Sequence, residues 1–193
     1  MRGVEKYRMI LDAAKQVFAR VGFYNSKVSE IARAAHVADG TIYLYFKNKD
    51  DILISLFEDE LSRIIEEVRI ELKAIDDPAA KLTRFCELHL GLVESDRALA
   101  EVIQVELRQS NKFMREYKNK RFMLYIGLIA EIVTEGQGRA VFKAEVNPEI
   151  ATHMLFGALD ELSTYMVMAK RKHFDVKQLA ATVAAVFIDG IAA

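Results

Sequence analysis

The two prolines of this 193-residue chain constrain its fold most, because each stands where a helix begins rather than where one is broken. Asp76-Asp77-Pro78 and Asn147-Pro148 each place a capping side chain directly before a proline, which is typical of the first turn of a helix. Long stretches of good helix formers surround them, with only nine glycines in the whole sequence. The chain is therefore predicted to be all-α.

Membrane and secretory segments are not expected. Hydrophobic residues make up 52% of the chain, enough for a real core, yet no stretch of about twenty apolar residues is free of charge. The amino terminus carries Arg2, Glu5, Lys6 and Arg8 where a secretory signal would have an apolar segment. Because Cys86 is the only cysteine, no internal disulfide is possible, and the cytoplasm is the expected compartment.

Charge is unevenly distributed along the chain. Residues 1–50 hold nine basic and five acidic side chains and so carry +4, whereas the remainder carries −5. A basic amino-terminal quarter suits contact with a phosphate backbone, although an unevenly charged solvated surface is the alternative interpretation.

The first fifty residues have the pattern of three short helices. Apolar residues from Ile10 to Val21 recur at helical spacing, and Gly22 followed by Phe23 is a common helix ending. Ser26 is expected to cap a second short helix, and a turn of a few residues separates it from a third that starts near Asp39. This arrangement predicts a helix-turn-helix with an apolar corner formed by Ile31, Val37, Ile42 and Phe46.

The third helix falls in DGTIYLYFKNKDD, from Asp39 to Asp51, whose central residues would favour a strand by propensity alone. In a helix-turn-helix it would enter the major groove, where tyrosine hydroxyls suit phosphate oxygens and Thr41 offers a hydroxyl and a methyl to a base edge. The predicted DNA-binding residues are Ser26, Lys27, Asp39, Gly40, Thr41, Tyr43, Tyr45, Lys47 and Lys49.

Further helices are predicted from Asn48 to about Ala74, over 78–94, 97–108 and 110–136 with Asp96 and Ser110 as caps, over 148–171 and over 175–191. The last two are apolar on more than one face and must be covered. Pairing with their copies in a four-helix arrangement would cover them, and burial inside a monomer is the alternative. The predicted dimer residues are Leu155, Leu159, Leu162, Tyr165, Leu179, Val183, Val186 and Phe187.

Residues 108–130 form a stretch that is basic in its first half and uncharged from Phe122 to Ala130. Such a helix matches a ligand with an anionic head and a long apolar tail, whereas an exposed basic surface running into ordinary core is the alternative. Arg108, Asn111 and Arg115 fall on neighbouring turns, as contact with one phosphate cluster requires.

The segment from Ile10 to Leu53, ending in GTIYLYFKNKDDIL, closely resembles the DNA-binding domain of TetR-family transcriptional repressors. The resemblance implies a nine-helix fold, with a helix-turn-helix domain over residues 1–48 and a ligand-binding and dimerisation domain over 49–193. His36 and Ala38 stand where the family usually has glycine and serine. We therefore expect a positive φ at His36 and helix capping by Asp39.

The segments ELRQSN, GTIYLYFKNKDDILISLF, TEG and FGALDE also resemble the acyl-CoA-responsive fatty-acid-degradation repressors of that family. This implies a homodimer that binds a palindromic operator of fatty-acid degradation genes, needs no cofactor and is released by long-chain acyl-CoA. The implied head-group residues are Arg108, Asn111, Arg115 and Arg121. The tail is expected among Phe85, Leu88, His89, Leu92, Ile103, Leu107, Phe122 and Phe156.

Two alternatives remain at this point. A multidrug-type sensor of the same family would use buried acids such as Glu106 or Asp160 to hold planar cations. A helical enzyme or metal protein is less favoured, because the four histidines show no pairing at helical spacing and the sequence has neither a Gly-rich phosphate loop nor a cysteine cluster. A metal held by His89, His153 and Asp160 is not predicted, and Cys86 has the surroundings of a buried hydrophobe.

Overall fold

The computed structural model describes residues 2–110, 120–169 and 175–193, except for the side chains of Arg2 and Gln109. Across these ranges the regular structure is helical, and the one β feature is an isolated bridge between Phe142 and Ala192. The prediction of an all-α chain is confirmed.

Nine helices account for the described ranges when the three consecutive segments of the sixth are counted together. That sixth helix contains a π-helical turn, in which the hydrogen bonds span one more residue than in an α-helix. The helices are α1 (Arg2–Val21), α2 (Val28–Ala34), α3 (Asp39–Ile42), α4 (Lys49–Lys73), α5 (Pro78–Ser95), α6 (Arg97–Glu101, π-helical Val102–Glu106 and Leu107–Gln109), α7 (Lys120–Gly138), α8 (Pro148–Met168) and α9 (Val176–Ile191).

Most helix starts lie where the capping residues predict them. An unpaired backbone N–H in a first turn is satisfied by the side chain just before the helix. The Asp96 carboxylate accepts from the N–H of Leu99 at 2.9 Å, as predicted. The same device opens α5, α8 and α9, through Asp77, Asn147 and Asp175. The cap predicted at Ser110 belongs to the helix predicted over 110–136, and residues 111–119 lie outside the described ranges.

The described chain divides into two compact units, one of residues 2–60 and 96–110, the other of residues 61–95, 120–169 and 175–193. In the first unit, α1 packs against α2 and α6 around buried side chains that include Phe18, Ile31 and Phe46. A buried ammonium also ties this unit together: Lys15 Nζ lies 3.2 Å from Glu60 Oε1 and 2.6 Å from Asp96 Oδ2. These contacts join α1, α4 and the start of α6.

In the second unit, α5 packs against α9 and α7, and α8 packs against α7. The core includes Phe85, Ile129, Leu155 and Leu159, all at most 1% exposed. Gly136 is required by the loop that follows α7, because a Cβ at this position would lie 2.1 Å from the Phe142 ring. No helix among the described residues is long and apolar enough to cross a membrane.

Candidate functional site

The turn between α2 and α3 is closed by a Schellman motif. The N–H of Val37 donates to the carbonyl of Ala32 at 3.0 Å, and the N–H of His36 donates to that of Arg33 at 3.2 Å. This geometry requires a left-handed residue, and His36 has φ +53°, which confirms the predicted positive φ. Asp39 was predicted to cap α3, but this is wrong, since Ala38 occupies the N-cap position and Asp39 already lies inside the helix.

The third helix presents one buried and one exposed side. Ile42 and Phe46, one turn apart, are 1% and 2% exposed and anchor α3 and the following turn in the core. Gly40 and Tyr43 are exposed, the latter to 59%, as predicted. Thr41 and Tyr45 are half-buried, and the Tyr45 ring centroid lies 6.4 Å from that of Tyr7 on α1.

One exposed side chain of this surface, Leu44, was not among the predicted DNA-binding residues. Leu44 is 81% exposed, more than any other large hydrophobic side chain described. Its position midway between Ile42 and Phe46 in the sequence would have indicated this, because a residue two positions from both buried neighbours points to the opposite side of a helix. An apolar side chain here can contact a thymine methyl group.

Ser26 and Lys49 are placed differently from the prediction. Ser26 is 4% exposed, and its hydroxyl donates to the carbonyl of Phe23 at 2.7 Å, whereas Lys27 stands at the N-cap of α2. Lys49 donates to the carbonyls of Phe23, Tyr24 and Ser26, and its ammonium lies 4.7 Å from the Phe23 ring centroid. Both side chains are therefore engaged in fixing the loop between α1 and α2 rather than displayed for DNA.

Two basic side chains of the predicted set remain available to a phosphate backbone. Lys27 and Lys47 are both exposed. The backbone N–H of Lys27 donates to Glu30 Oε2 at 2.8 Å, and that of Lys47 donates to Asp51 Oδ2 at 2.8 Å. The main chain is thus fixed at both positions while the ammonium groups stay in solvent.

The second unit contains an aromatic cluster built from α5, α7 and α8. The His89 Nδ1 atom lies 2.7 Å from the hydroxyl oxygen of Tyr125, and the His89 ring meets Phe156 edge to face at 5.7 Å between centroids. Phe122 packs edge to face on Phe156 at 5.0 Å. Phe85 is fully buried beside Tyr125. Phe122, Phe156, Leu88 and Leu92 are only half-buried, so part of each of these side chains is exposed to solvent.

Tyr125 was missed as a member of this cluster. Burial raises the pKa of its hydroxyl, and burial lowers the pKa of His89 to about 4, partly offset by the charge of Asp160. Both groups are therefore neutral at neutral pH. The sequence signal was the single hydroxyl within the otherwise uncharged stretch from Phe122 to Ala130.

The remaining predicted ligand residues belong to different parts of the chain. In the first unit, Leu107 is buried, Ile103 is half-buried, and Arg108 is exposed with Nη2 donating to Gln104 Oε1 at 3.0 Å. In the second unit, Arg121 is exposed in the first turn of α7. Asn111 and Arg115 lie outside the described residues.

The predicted dimer residues separate into three groups. Leu155 and Leu159 are 1% and 0% exposed in a single chain, so their assignment to a dimer contact is corrected: they belong to the chain's own core. Tyr165 and Val186 are 46% and 73% exposed. The other four, which are half-buried, are Leu162, Leu179, Val183 and Phe187.

The exposed positions of α8 and α9 follow helical spacing. On α8 they form one stripe with several apolar members, comprising Glu149, Ile150, His153, Met154, Gly157, Ala158, Glu161, Tyr165 and Met168. On α9 the matching stripe comprises Lys177, Gln178, Ala181, Thr182, Ala185, Val186, Asp189 and Gly190. Small and apolar side chains exposed in this way allow close packing against another helix pair.

Two family models together match nearly the whole chain. The model described as bacterial regulatory proteins of the tetR family matches residues 10–56, and the model described as the C-terminal region of YsiA-like proteins matches residues 57–190. A fatty acid metabolism regulator protein from Bacillus subtilis is 41% identical over 186 residues, covering 96% of this chain and 95% of that protein.

The chain belongs to the TetR family. The crystal structure of the transcriptional regulator FadR from Bacillus subtilis, in complex with stearoyl-CoA, is 40% identical in sequence and has a TM-score of 0.89, covering 96% of this chain and 99% of that one. The fatty acid degradation regulator FadR from Bacillus halodurans gives the same identity and TM-score, with coverages of 96% and 95%. The predicted resemblance is confirmed.

As a TetR-family protein, the chain is a DNA-binding transcription regulator and not an enzyme. In the part of the chain that the structure describes, no group of three His, Cys, Asp or Glu residues is arranged to hold a metal ion. His153 is exposed on α8, whereas His89 is buried. Burial raises the pKa of the Cys86 thiol to about 12, which keeps the thiol protonated and unreactive.

Proposed function

We propose that this protein is a cytoplasmic, dimeric repressor of fatty-acid degradation genes that leaves its palindromic operator when it binds long-chain acyl-CoA. The observation that carries the proposal is the 40% identity, over 96% of the chain, to a regulator whose crystal structure holds stearoyl-CoA. The exposed third helix and the half-open aromatic cluster supply one surface for each ligand.

The proposed DNA surface consists of α3, the turn after it and the flanking lysines. Its members are Lys27, Asp39, Gly40, Thr41, Tyr43, Leu44, Tyr45 and Lys47. Lysines and tyrosine hydroxyls suit phosphate oxygens, which fix the position of the helix, whereas Thr41 and Leu44 suit base edges. Ser26 and Lys49 stabilise this surface indirectly, because their side chains donate hydrogen bonds to backbone carbonyls of the loop that precedes α2.

The proposed dimer contact is the pair of exposed stripes on α8 and α9. An isologous contact brings the same stripe of two copies together about a two-fold axis. Two helix-turn-helix units related by such an axis read two half-sites in opposite directions, which is why a palindromic operator is expected.

The proposed acyl-tail site is the aromatic cluster of the second unit, with Phe85, Leu88, His89, Leu92, Phe122 and Phe156. A long apolar chain gains about 0.8 kcal/mol for each methylene group that it buries. Arg121 is proposed for the anionic head group, and Arg108, Asn111, Arg115, Ile103 and Leu107 stay predictions for the same ligand.

A multidrug-type sensor is less well supported, because one of the acids it would use has another role. Glu106 is 7% exposed, and its carboxylate accepts a hydrogen bond from the backbone N–H of Phe23 just after α1. A carboxylate that is already engaged with the main chain offers less to a planar cation.

Release of DNA requires that the ligand bind better to a dimer whose two reading helices are wrongly spaced for successive grooves. We propose that α4 transmits this conformational change, because its residues belong to the first unit up to Glu60 and to the second from Leu61.

A gel-shift titration tests the proposal. The probe is the duplex that the purified protein selects from randomised DNA, and it is expected to contain an inverted repeat whose binding weakens steeply with salt. Stearoyl-CoA should abolish the shifted band, while coenzyme A alone should not. Absence of any salt-sensitive binding would contradict the repressor assignment, and a band unchanged by saturating stearoyl-CoA would contradict the ligand.

A further inference from the structure

The aromatic cluster of the second unit contains a buried nitrogen that no described residue satisfies. His89 is 7% exposed; its Nδ1 atom pairs with the Tyr125 hydroxyl, but Nε2 has no hydrogen-bond partner among the described residues. Buried polar atoms in native proteins are nearly always hydrogen-bonded, and an exception calls for an explanation.

Tyr125 determines whether the Nε2 atom of His89 is a hydrogen-bond donor or an acceptor. A phenol is a stronger acid than a neutral imidazole N–H, so the Tyr125 hydroxyl donates its proton to Nδ1 and leaves the hydrogen of the neutral ring on Nε2. Since Tyr125 is itself 3% exposed and donates across only 2.7 Å, the tautomer is fixed by the core. The free atom is therefore a hydrogen-bond donor.

The surroundings explain why a purely apolar ligand would fit badly here. Phe85 stacks at 6.4 Å from the imidazole, and Phe156 meets it edge to face. An alkyl chain against these groups would leave the N–H unpaired in an apolar setting, which is unfavourable. The site therefore calls for an acceptor oxygen on the ligand.

We propose that the Nε2–H of His89 donates a hydrogen bond to the thioester carbonyl oxygen of the bound acyl-CoA. The sensor would then recognise the acyl linkage itself, and not only the length and apolar character of the tail. This inference rests on the proposed acyl-CoA effector and adds to it the residue that reads the carbonyl. Tyr125 is a positioning residue that acts through His89.

The test compares stearoyl-CoA with S-octadecyl-CoA, a thioether of the same chain length in which a methylene group replaces the carbonyl. Isothermal titration calorimetry of the full-length wild-type protein should show about 5- to 150-fold weaker binding of the thioether, the range expected for one unpaired buried donor. The His89→Leu variant should bind both ligands with equal affinity, and Tyr125→Phe should reduce the wild-type difference. His153→Leu, an exposed histidine on α8, is the matched control and should keep the full difference.

If His89→Leu does not fold, Tyr125→Phe keeps the inference testable, because a full wild-type difference in that variant would overturn it. Equal wild-type affinity for the two ligands would overturn the inference while leaving the acyl-CoA effector in place. If neither ligand binds, both the effector assignment and the inference fall. A preserved difference in His89→Leu would assign the carbonyl to another donor.

Discussion

Leu44 is the most exposed apolar residue of the proposed DNA surface. A leucine that is 81% exposed gains most by covering a methyl group, and in the major groove only thymine presents one. Replacing the contacted thymine by uracil in the selected duplex should weaken wild-type binding about fourfold, corresponding to about 0.8 kcal/mol for one buried methyl. Fluorescence anisotropy measures this for each thymine in turn.

The Leu44→Ala variant should be insensitive to the same thymine-to-uracil change. Ile70→Ala, which removes an apolar side chain that is 62% exposed on α4, should retain the wild-type response. An identical uracil effect in the wild type and in Leu44→Ala would show that Leu44 does not contact that methyl.

The first residue of α4, Lys49, is hydrogen-bonded to the loop between α1 and α2. Lys49 donates to three loop carbonyls, and burial lowers its pKa against the opposing charges of Asp50 and Glu30. Lys49→Met should reduce the free energy of unfolding by about 2 kcal/mol, as expected for hydrogen bonds from a charged donor, in urea denaturation.

Lys47→Met is the matched variant, two residues away and exposed. It should leave stability within about 0.5 kcal/mol of wild type and reduce the salt slope of DNA binding by about one. If Lys49→Met instead lowered the salt slope without a loss of stability, Lys49 would be a phosphate contact after all.

Lys15 on α1 forms ion pairs with Glu60 on α4 and with Asp96 at the start of α6, and of the three only Asp96 is partly exposed. Burial lowers the pKa of Lys15, but the hydrogen bond to Asp96 and the charge of Glu60 outweigh this and leave it raised. Burial raises the pKa of Asp96, and the hydrogen bond to Lys15 outweighs that and leaves it lowered. The stabilisation is therefore complete between about pH 4 and pH 10, and is lost as Asp96 is protonated below that window or Lys15 is deprotonated above it.

Lys15→Met should lower the free energy of unfolding by about 3 kcal/mol at pH 7, because the buried carboxylate of Glu60 and the part-buried carboxylate of Asp96 both lose their ion pair with the Lys15 ammonium. The penalty should shrink as the pH falls below about 4. Urea denaturation at several pH values measures it, with Lys6→Met on the exposed side of α1 as the control. A penalty that does not change with pH would mean that Lys15 acts through packing alone.

Local features of these elements were predictable from sequence, and long-range ones were not. The positive φ of His36 and the cap at Asp96 depend on hydrogen bonds within about five residues, so spacing along the chain reveals them. Lys49 meets carbonyls more than twenty residues earlier, and Ser26 turns back to Phe23 instead of capping α2. The position of a charged or hydroxyl side chain within a motif does not predict a hydrogen-bond partner that only folding brings close to it.

The residues of the dimer contact were likewise not fully predictable from the sequence. An α8 helix that is apolar on nearly every side does not show in its sequence which face meets the chain's own core and which meets a second copy. Leu155 and Leu159 were therefore grouped with Tyr165, although only the last is exposed.

The dimer proposal predicts a specific loss on substitution of α9. Val186→Glu introduces a charge into a stripe position that is 73% exposed in one chain but buried in the proposed dimer. Sedimentation velocity should show a monomer at concentrations where the wild type is a dimer, with much weaker binding to the inverted repeat. Ile70→Glu, exposed on α4 outside the stripes, should remain dimeric. A dimeric Val186→Glu variant would place the contact elsewhere.

If operator and acyl-CoA compete through the conformation of one dimer, each must weaken the binding of the other by the same factor. The affinity for stearoyl-CoA should be measured with and without saturating operator duplex. The proposal predicts that DNA weakens stearoyl-CoA binding by the same factor by which stearoyl-CoA weakens DNA binding, in the range of about 5- to 150-fold. An affinity for stearoyl-CoA that is unchanged by the operator would contradict the proposal that acyl-CoA binding releases DNA.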